Sequence, residues 1–157
     1  MGMGSGRGTG GDSSASNGTI SISCGTVVIH ASGDGMDANG SLTISGGLVT
    51  IVGPTRGDTS ILDYDTTAAI TGGTFIGTGA SGMGQTFGDS EQAVVTLRLE
   101  EQTAGTEVSL HDSDGNVLIS TVPDQSFSMI IFSSPDLNAG ETYQVTAGET
   151  VFEVMAQ

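Results

Sequence analysis

The feature that most constrains this chain is a repeat in its first half. Three segments align: Asn17-Gly-Thr-Ile-Ser-Ile-Ser-Cys-Gly-Thr-Val-Val-Ile29, Asn39-Gly-Ser-Leu-Thr-Ile-Ser-Gly-Gly-Leu-Val-Thr-Ile51 and Thr66-Thr-Ala-Ala-Ile-Thr-Gly-Gly-Thr-Phe-Ile76. Their equivalent glycines, Gly25, Gly47 and Gly73, stand 22 and 26 residues apart. Periods of about 20 residues or more belong to solenoids, in which each unit buries its apolar face only against its neighbours. Each unit holds two short stretches with apolar residues at alternate positions, such as Leu42/Ile44 and Leu48/Ile51, on either side of a glycine corner. Glycine at that corner permits a positive φ and removes the Cβ that would crowd a stacked bend. The units carry no helix signal. An antiparallel sandwich would also give short strands, but it does not require Asn-Gly, Ile-Ser/Thr and Gly-Gly to recur in register. The expected fold is therefore all-β: a parallel β-helix, a single-stranded solenoid, with a C-terminal antiparallel β cap.

The cap is expected because the period stops. From Gln92 onward plain strands are predicted at 93–99, 106–110, 117–122, 127–132, 142–145 and 151–155. Asp112-Ser-Asp-Gly-Asn116 reads as a hairpin turn, and 135–140 as a second turn. A solenoid must cover its last coil, and an atypical terminal segment does so. The organisation expected is a Gly-rich loop remnant or linker at 1–16, coils at 17–91 and a β-strand cap at 92–157. Asp112 to Asn116 has the look of the start of an EF-hand loop, yet it lacks flanking helices and a distal glutamate, so the hairpin is preferred. Cys24, the only cysteine, cannot form an intrachain disulfide and is expected to be a buried structural thiol within the repeat.

Charge narrows the function. Eighteen acidic residues against Arg7, Arg56 and Arg98, with no lysine, give a formal net charge of -15. Nucleic acid and anionic membrane surfaces are attracted by clustered cations, so both are disfavoured as partners. No apolar run reaches the ~20 residues of a membrane span, so membrane insertion is not expected, and no signal peptide is visible. Divalent cations are the natural counterpart of such a surface. Asp34 and Asp37 fall on the turn between the first two repeats, and Asp58, Asp63 and Asp65 in the next equivalent loop. If turns stack at ~4.8 Å, carboxylates of successive coils face one another and repel unless a cation lies between them. Calcium takes six to eight oxygens at about 2.3–2.6 Å and suits that arrangement. The competing reading is of solvated turn aspartates bonded to their own backbone.

The run Gly33-Asp-Gly-Met-Asp-Ala-Asn-Gly-Ser-Leu-Thr-Ile-Ser-Gly-Gly47, with Gly53-Pro-Thr55, Leu62-Asp-Tyr-Asp65, Ile70-Thr-Gly-Gly-Thr74 and Ser81-Gly-Met83, resembles a family of secreted bacterial carbohydrate-binding domain-containing proteins. Gly105-Thr106, Asp114-Gly115, Phe127, Ser133-Ser-Pro135 and Gly140-Glu-Thr-Tyr143 are similar to the family's C-terminal end. Asp58-Thr-Ser-Ile61 departs from the small Gly/Ala pattern usual there. The resemblance implies a polysaccharide-lyase-like right-handed parallel β-helix forming the C-terminal portion of a longer protein, secretion to the extracellular space or cell surface, Ca²⁺, and plant cell-wall polysaccharide such as polygalacturonate or cellulose. Lyases of that fold use Ca²⁺ and a basic residue to remove a proton beside a uronate carboxylate. Arg56 is the nearest basic residue, and a guanidinium suits a carboxylate partner better than a base. His30 and His111 stand in strands without a nucleophile motif and are expected to be structural. No catalytic residue is assigned. With no tryptophan and only Tyr64 and Tyr143, a flat stacking platform is hard to build, so Tyr64 and Arg56 are the expected carbohydrate-binding residues, beside calcium bridges to acidic sugars. The alternative is a structural or adhesive protein that self-assembles end to end into oligomers or fibres.

Overall fold

The computed structural model describes residues 18–55, 59–81, 85–88 and 90–157. Among these the fold is all-β, with no helix. Eight strands occupy the repeat: β1 (Ile20–Ile22), β2 (Thr26–His30), β3 (Met36–Ala38), β4 (Ser41–Ile44), β5 (Leu48–Val52), β6 (Leu62–Tyr64), β7 (Thr67–Ile70) and β8 (Thr74–Gly79). Six follow: β9 (Val94–Gln102), β10 (Val108–His111), β11 (Val117–Thr121), β12 (Phe127–Ser133), β13 (Thr142–Ala147) and β14 (Thr150–Met155).

The repeat pairs with itself in parallel, at the spacing its glycines have in the sequence. Ile20 lies beside Leu42 and Leu42 beside Ala68, along the sheet β1-β4-β7. Thr26 lies beside Leu48 and Leu48 beside Thr74, along β2-β5-β8. Met36 of β3 lies beside Leu62 of β6. Between the first and second strand of each unit the chain turns through Gly25, Gly47 or Gly73, at φ of 83°, 88° and 82°. These are left-handed conformations that side chains with a Cβ rarely adopt.

Period-2 alternation then sends every second residue inward. Leu42, Ile44, Val49, Ile51, Ile70 and Phe75 are fully buried in one apolar cluster. The third unit packs differently from the second. Phe75 replaces Val49, and Gly77 replaces Ile51 two residues on. A Cβ on Gly77 would come within 2.8 Å of the Phe75 ring and 2.9 Å of Ile61 Cγ2, so the small residue makes room for the large one. Phe87 meets Phe75 edge to face at 4.9 Å.

The second half joins the first through β12. This strand runs antiparallel to β8 on one side and to β9 on the other, extending β2-β5-β8 into a five-stranded mixed sheet. Phe127 to Phe132 is a near-continuous apolar run because both of its faces are covered. Met129 and Ile131 enter the cluster of the repeat, whereas Phe127, Ile130 and Phe132 enter a second cluster with Val95, Val108, Leu110, Tyr143 and Val145. That second cluster lies against the antiparallel sheet β11-β10-β13-β14. The hairpin expected at Asp112 is present between β10 and β11. Asp112 Oδ1 accepts the N–H groups of Asp114 and Asn116, both at 2.9 Å, and Gly115 closes the turn at φ 87°. Those bonds hold the Asp112 carboxyl below its ordinary range.

Cys24 corrects the sequence reading. It is exposed, not buried. The 22- and 26-residue spacings place Gly46 and Gly72 at its position in the next two units. A Cβ there would lie 2.4 Å from the Ser23 carbonyl oxygen or 2.5 Å from that of Ser45, each belonging to the preceding unit. Cys24 has no preceding unit beneath it among the described residues, so its side chain is sterically allowed and points outward from the stack.

Candidate metal centre

Asp34, Asp37 and Asp63 converge at the β3–β6 pair. One carboxylate oxygen from each lies within 4.8 Å of the others. The convergence follows from the repeat: Asp37 and Asp63 are cross-strand partners in parallel register, and in such a pair neighbouring side chains project to the same face. Strand alternation turns Met36 and Ala38 inward and leaves Asp37 exposed between them. Asp34 reaches the same place from the preceding loop. Its Oδ1 accepts the Ser60 N–H at 2.9 Å, tying the two loops together across 26 residues of sequence. Ser60 is itself buried and donates its hydroxyl to the Leu62 carbonyl at 2.6 Å, which fixes the start of β6.

This placement differs from the sequence expectation in detail. Asp37 and Asp63 stand on strands rather than in turns, because the short strands β3 and β6 of two successive units pair in parallel. Asp65 is exposed just beyond β6, where its N–H donates to the Ala38 carbonyl at 3.2 Å. It belongs to the neighbourhood electrostatically but not to the group of three. Asp58 and Arg56 lie outside the described residues.

The cluster raises the pKa of Asp63 above the ordinary carboxylate range. Desolvation is the first cause, followed by a hydrogen bond with Asp34 and repulsion from Asp34, Asp37 and Asp65. A proton shared between two carboxylates relieves the repulsion, and a bound cation would do so without protonation. Two oxygens ligating one calcium ion, each at about 2.4 Å, can stand up to roughly 5 Å apart. Three carboxylate oxygens grouped this closely could hold a metal ion.

Tyr64 sits between Asp63 and Asp65 but turns the other way. It is half-buried against the apolar cluster, its hydroxyl donating to the Thr86 carbonyl at 2.6 Å and its N–H donating to Gln85 Oε1 at 2.9 Å. Gln85 and Thr86 thus join the site from a segment in which the sequence reading named no site residue. Their signal was weak, since neither belongs to the repeat. His30 is exposed beside Asp124, with Nε2 and Oδ2 3.4 Å apart, a surface contact of little energetic weight.

A second acidic place was not foreseen. Asp112, Asp114, Asp136, Asn138, Glu141 and Tyr143 line a cleft of about 230 Å³. Both turns that form it were legible in the sequence, but their meeting depends on β10 pairing with β13. Its Asp112 carboxylate is already engaged by its own turn.

Comparisons with protein-family models, with curated proteins and with solved structures return no match to this chain.

Proposed function

We propose that this chain is an extracellular, calcium-binding, non-catalytic carbohydrate-binding module built on a right-handed parallel β-helix with a C-terminal antiparallel cap. Five parallel pairings, two offset by 22 residues and three by 26, support the β-helix reading. The observation that carries the functional reading is the meeting of Asp34, Asp37 and Asp63 across two stacked units. In this reading Asp34, Asp37 and Asp63 hold the ion, with Asp65 adding charge nearby. The ion stabilises the stack and offers a positive centre on a molecule of net charge -15. An acidic polysaccharide such as polygalacturonate would reach the protein through that centre, its uronate carboxylates completing the calcium shell. In this reading Arg56 and Tyr64 would contact the sugar, Tyr64 by giving up the hydrogen bond its hydroxyl makes to the Thr86 carbonyl.

Calcium is expected to raise the melting temperature. At a concentration a hundredfold above Kd, one site adds about 2.7 kcal/mol, or roughly 5–10 °C for a domain of this size. Thermal unfolding in calcium and in chelator measures it, and coincident curves would reject the metal. Pull-down on polygalacturonate and cellulose, with and without chelator, tests the sugar. Retention on neither glycan would reject the carbohydrate reading while leaving the calcium site standing.

A further inference from the structure

The two ends of the parallel stack are finished differently. At the end formed by β6, β7 and β8 the backbone is covered. Gly88 N–H donates to the Ala68 carbonyl, Gln92 N–H to the Ile70 carbonyl, Ile70 N–H to Ser90 Oγ and Tyr64 N–H to Gln85 Oε1, while β12 pairs along β8. At the other end β1 and β2 are paired on one side only among the described residues. Their inward residues Ile20, Ile22, Val27 and Ile29 are only partly buried, although the equivalent Leu42, Ile44, Val49 and Ile51 are at most 1% exposed. Val28 is 58% exposed beside them. Among the described residues this is an open strand edge with an apolar interior behind it, a surface that associates unless something protects it.

We propose that a second copy of this chain occupies that end, the two meeting head to head about a two-fold axis through β1 and β2 of each. Charge selects this partner. Residues 18–33 contain none of the eighteen acidic side chains of a molecule carrying -15, so β1 and β2 bring no carboxylate of their own to such an interface, and Asp124, which lies beside β2, is 3.4 Å from the His30 imidazole. Sterics select the orientation. Cys24 projects its Cβ where a stacked unit of the same handedness would place a carbonyl, as the 2.4 and 2.5 Å approaches at Gly46 and Gly72 demonstrate. A further parallel unit therefore does not fit on β1 and β2. A two-fold reverses strand direction, so that the corner of one copy no longer lies over the corner of the other. With the opposite end covered, association stops at two.

Sedimentation and light scattering over a wide concentration range, in chelator and reductant, test this independently of the metal and of any disulfide. The expected mass rises from 15.7 kDa to twice that value. Val28→Lys and Thr26→Lys, both at exposed positions on the edge, are expected to yield a monomer with unchanged circular dichroism. Val151→Lys, on an exposed position of β14, is expected to remain dimeric. A mass of 15.7 kDa throughout would overturn the proposal, as would a dimer that survives Val28→Lys or a mass that grows past two copies. A monomer whose β1 and β2 amides resist hydrogen exchange would also overturn it, since a segment of the same chain then covers the edge.

Discussion

Asp63 has two opposite effects on stability, depending on what neutralises it. Without a cation its carboxylate is partly desolvated and faces Asp34, Asp37 and Asp65, so its pKa is raised in the folded chain. A raised carboxyl pKa means that the folded state binds the proton more tightly than the unfolded state. Its contribution is complete below the ordinary value of 3.8 and is lost as pH rises through the raised value. Asp63→Asn removes one charge of the cluster while keeping an amide able to donate to Asp34. In chelator near neutral pH, this variant is expected to melt above the wild type. The difference should shrink as the buffer is acidified into the carboxylate range. In calcium the order is expected to reverse, because the variant lacks one anionic ligand. Melting curves of both proteins, in both buffers and across pH, check this. A variant that melts below the wild type in chelator would show that Asp63 makes a contact worth more than the repulsion it suffers. Asp34→Ala is a different case, because it also leaves the Ser60 N–H without its acceptor. It is expected to cost about 1–3 kcal/mol in chelator as well as in calcium.

At the scale of the strand and its corner, each unit depends on backbone passing close to backbone. A Cβ on Gly72 would lie 2.5 Å from the Ser45 carbonyl oxygen, and neither partner is a side-chain tip that can rotate away. Gly72→Ala is expected to destabilise the chain by about 1–3 kcal/mol, whereas Cys24→Ser, at the same corner of the first unit, should stay within about 0.5 kcal/mol of wild type. Chemical denaturation of the two variants makes the comparison, and equal effects would deny the stacking. β8 offers a second check. Gly77→Ala should cost about 1–3 kcal/mol through contact with the Phe75 ring, and that cost should shrink in a Phe75→Val background, since the two positions share one volume. The spacing of Gly25, Gly47 and Gly73 made these corners legible, and with them the pairing offsets and the inward ladder Leu42/Ile44 and Val49/Ile51. The strands after Gln92 were also legible, because their alternation is local. What the sequence withheld was long-range. Nothing local says that Phe127 to Phe132 will lie between β8 and β9 and serve two apolar clusters at once. The strand pair β3–β6 is three residues long and carries too little pattern to see, so Asp37 and Asp63 looked like turn residues. Membership of the repeat suggests burial for Cys24, but its position in the first unit leaves it exposed.

For the whole molecule the governing quantity is a formal net charge of -15. Self-repulsion of that size opposes the compact state, and any salt should relieve part of it. Calcium could therefore stabilise the chain in two ways, by general screening or by occupying the Asp34, Asp37 and Asp63 cluster. Salt separates them. The Debye length is about 10 Å at 0.1 M and about 3 Å at 1 M, so concentrated sodium chloride removes most of the long-range repulsion without supplying a divalent ligand. Raising sodium chloride in chelator is expected to increase the melting temperature and then level off. Adding calcium on that plateau is expected to increase it again if the ion is held by the cluster, because direct ligation within a few ångström survives screening. Asp37→Asn is the decisive variant: Asp37 is exposed on β3, so its loss should leave the sodium chloride response intact and abolish the increment that calcium adds on the plateau. If calcium adds nothing beyond the plateau even in the wild type, the acidic surface works as a diffuse counterion layer, and the three carboxylates are neighbours through the repeat alone.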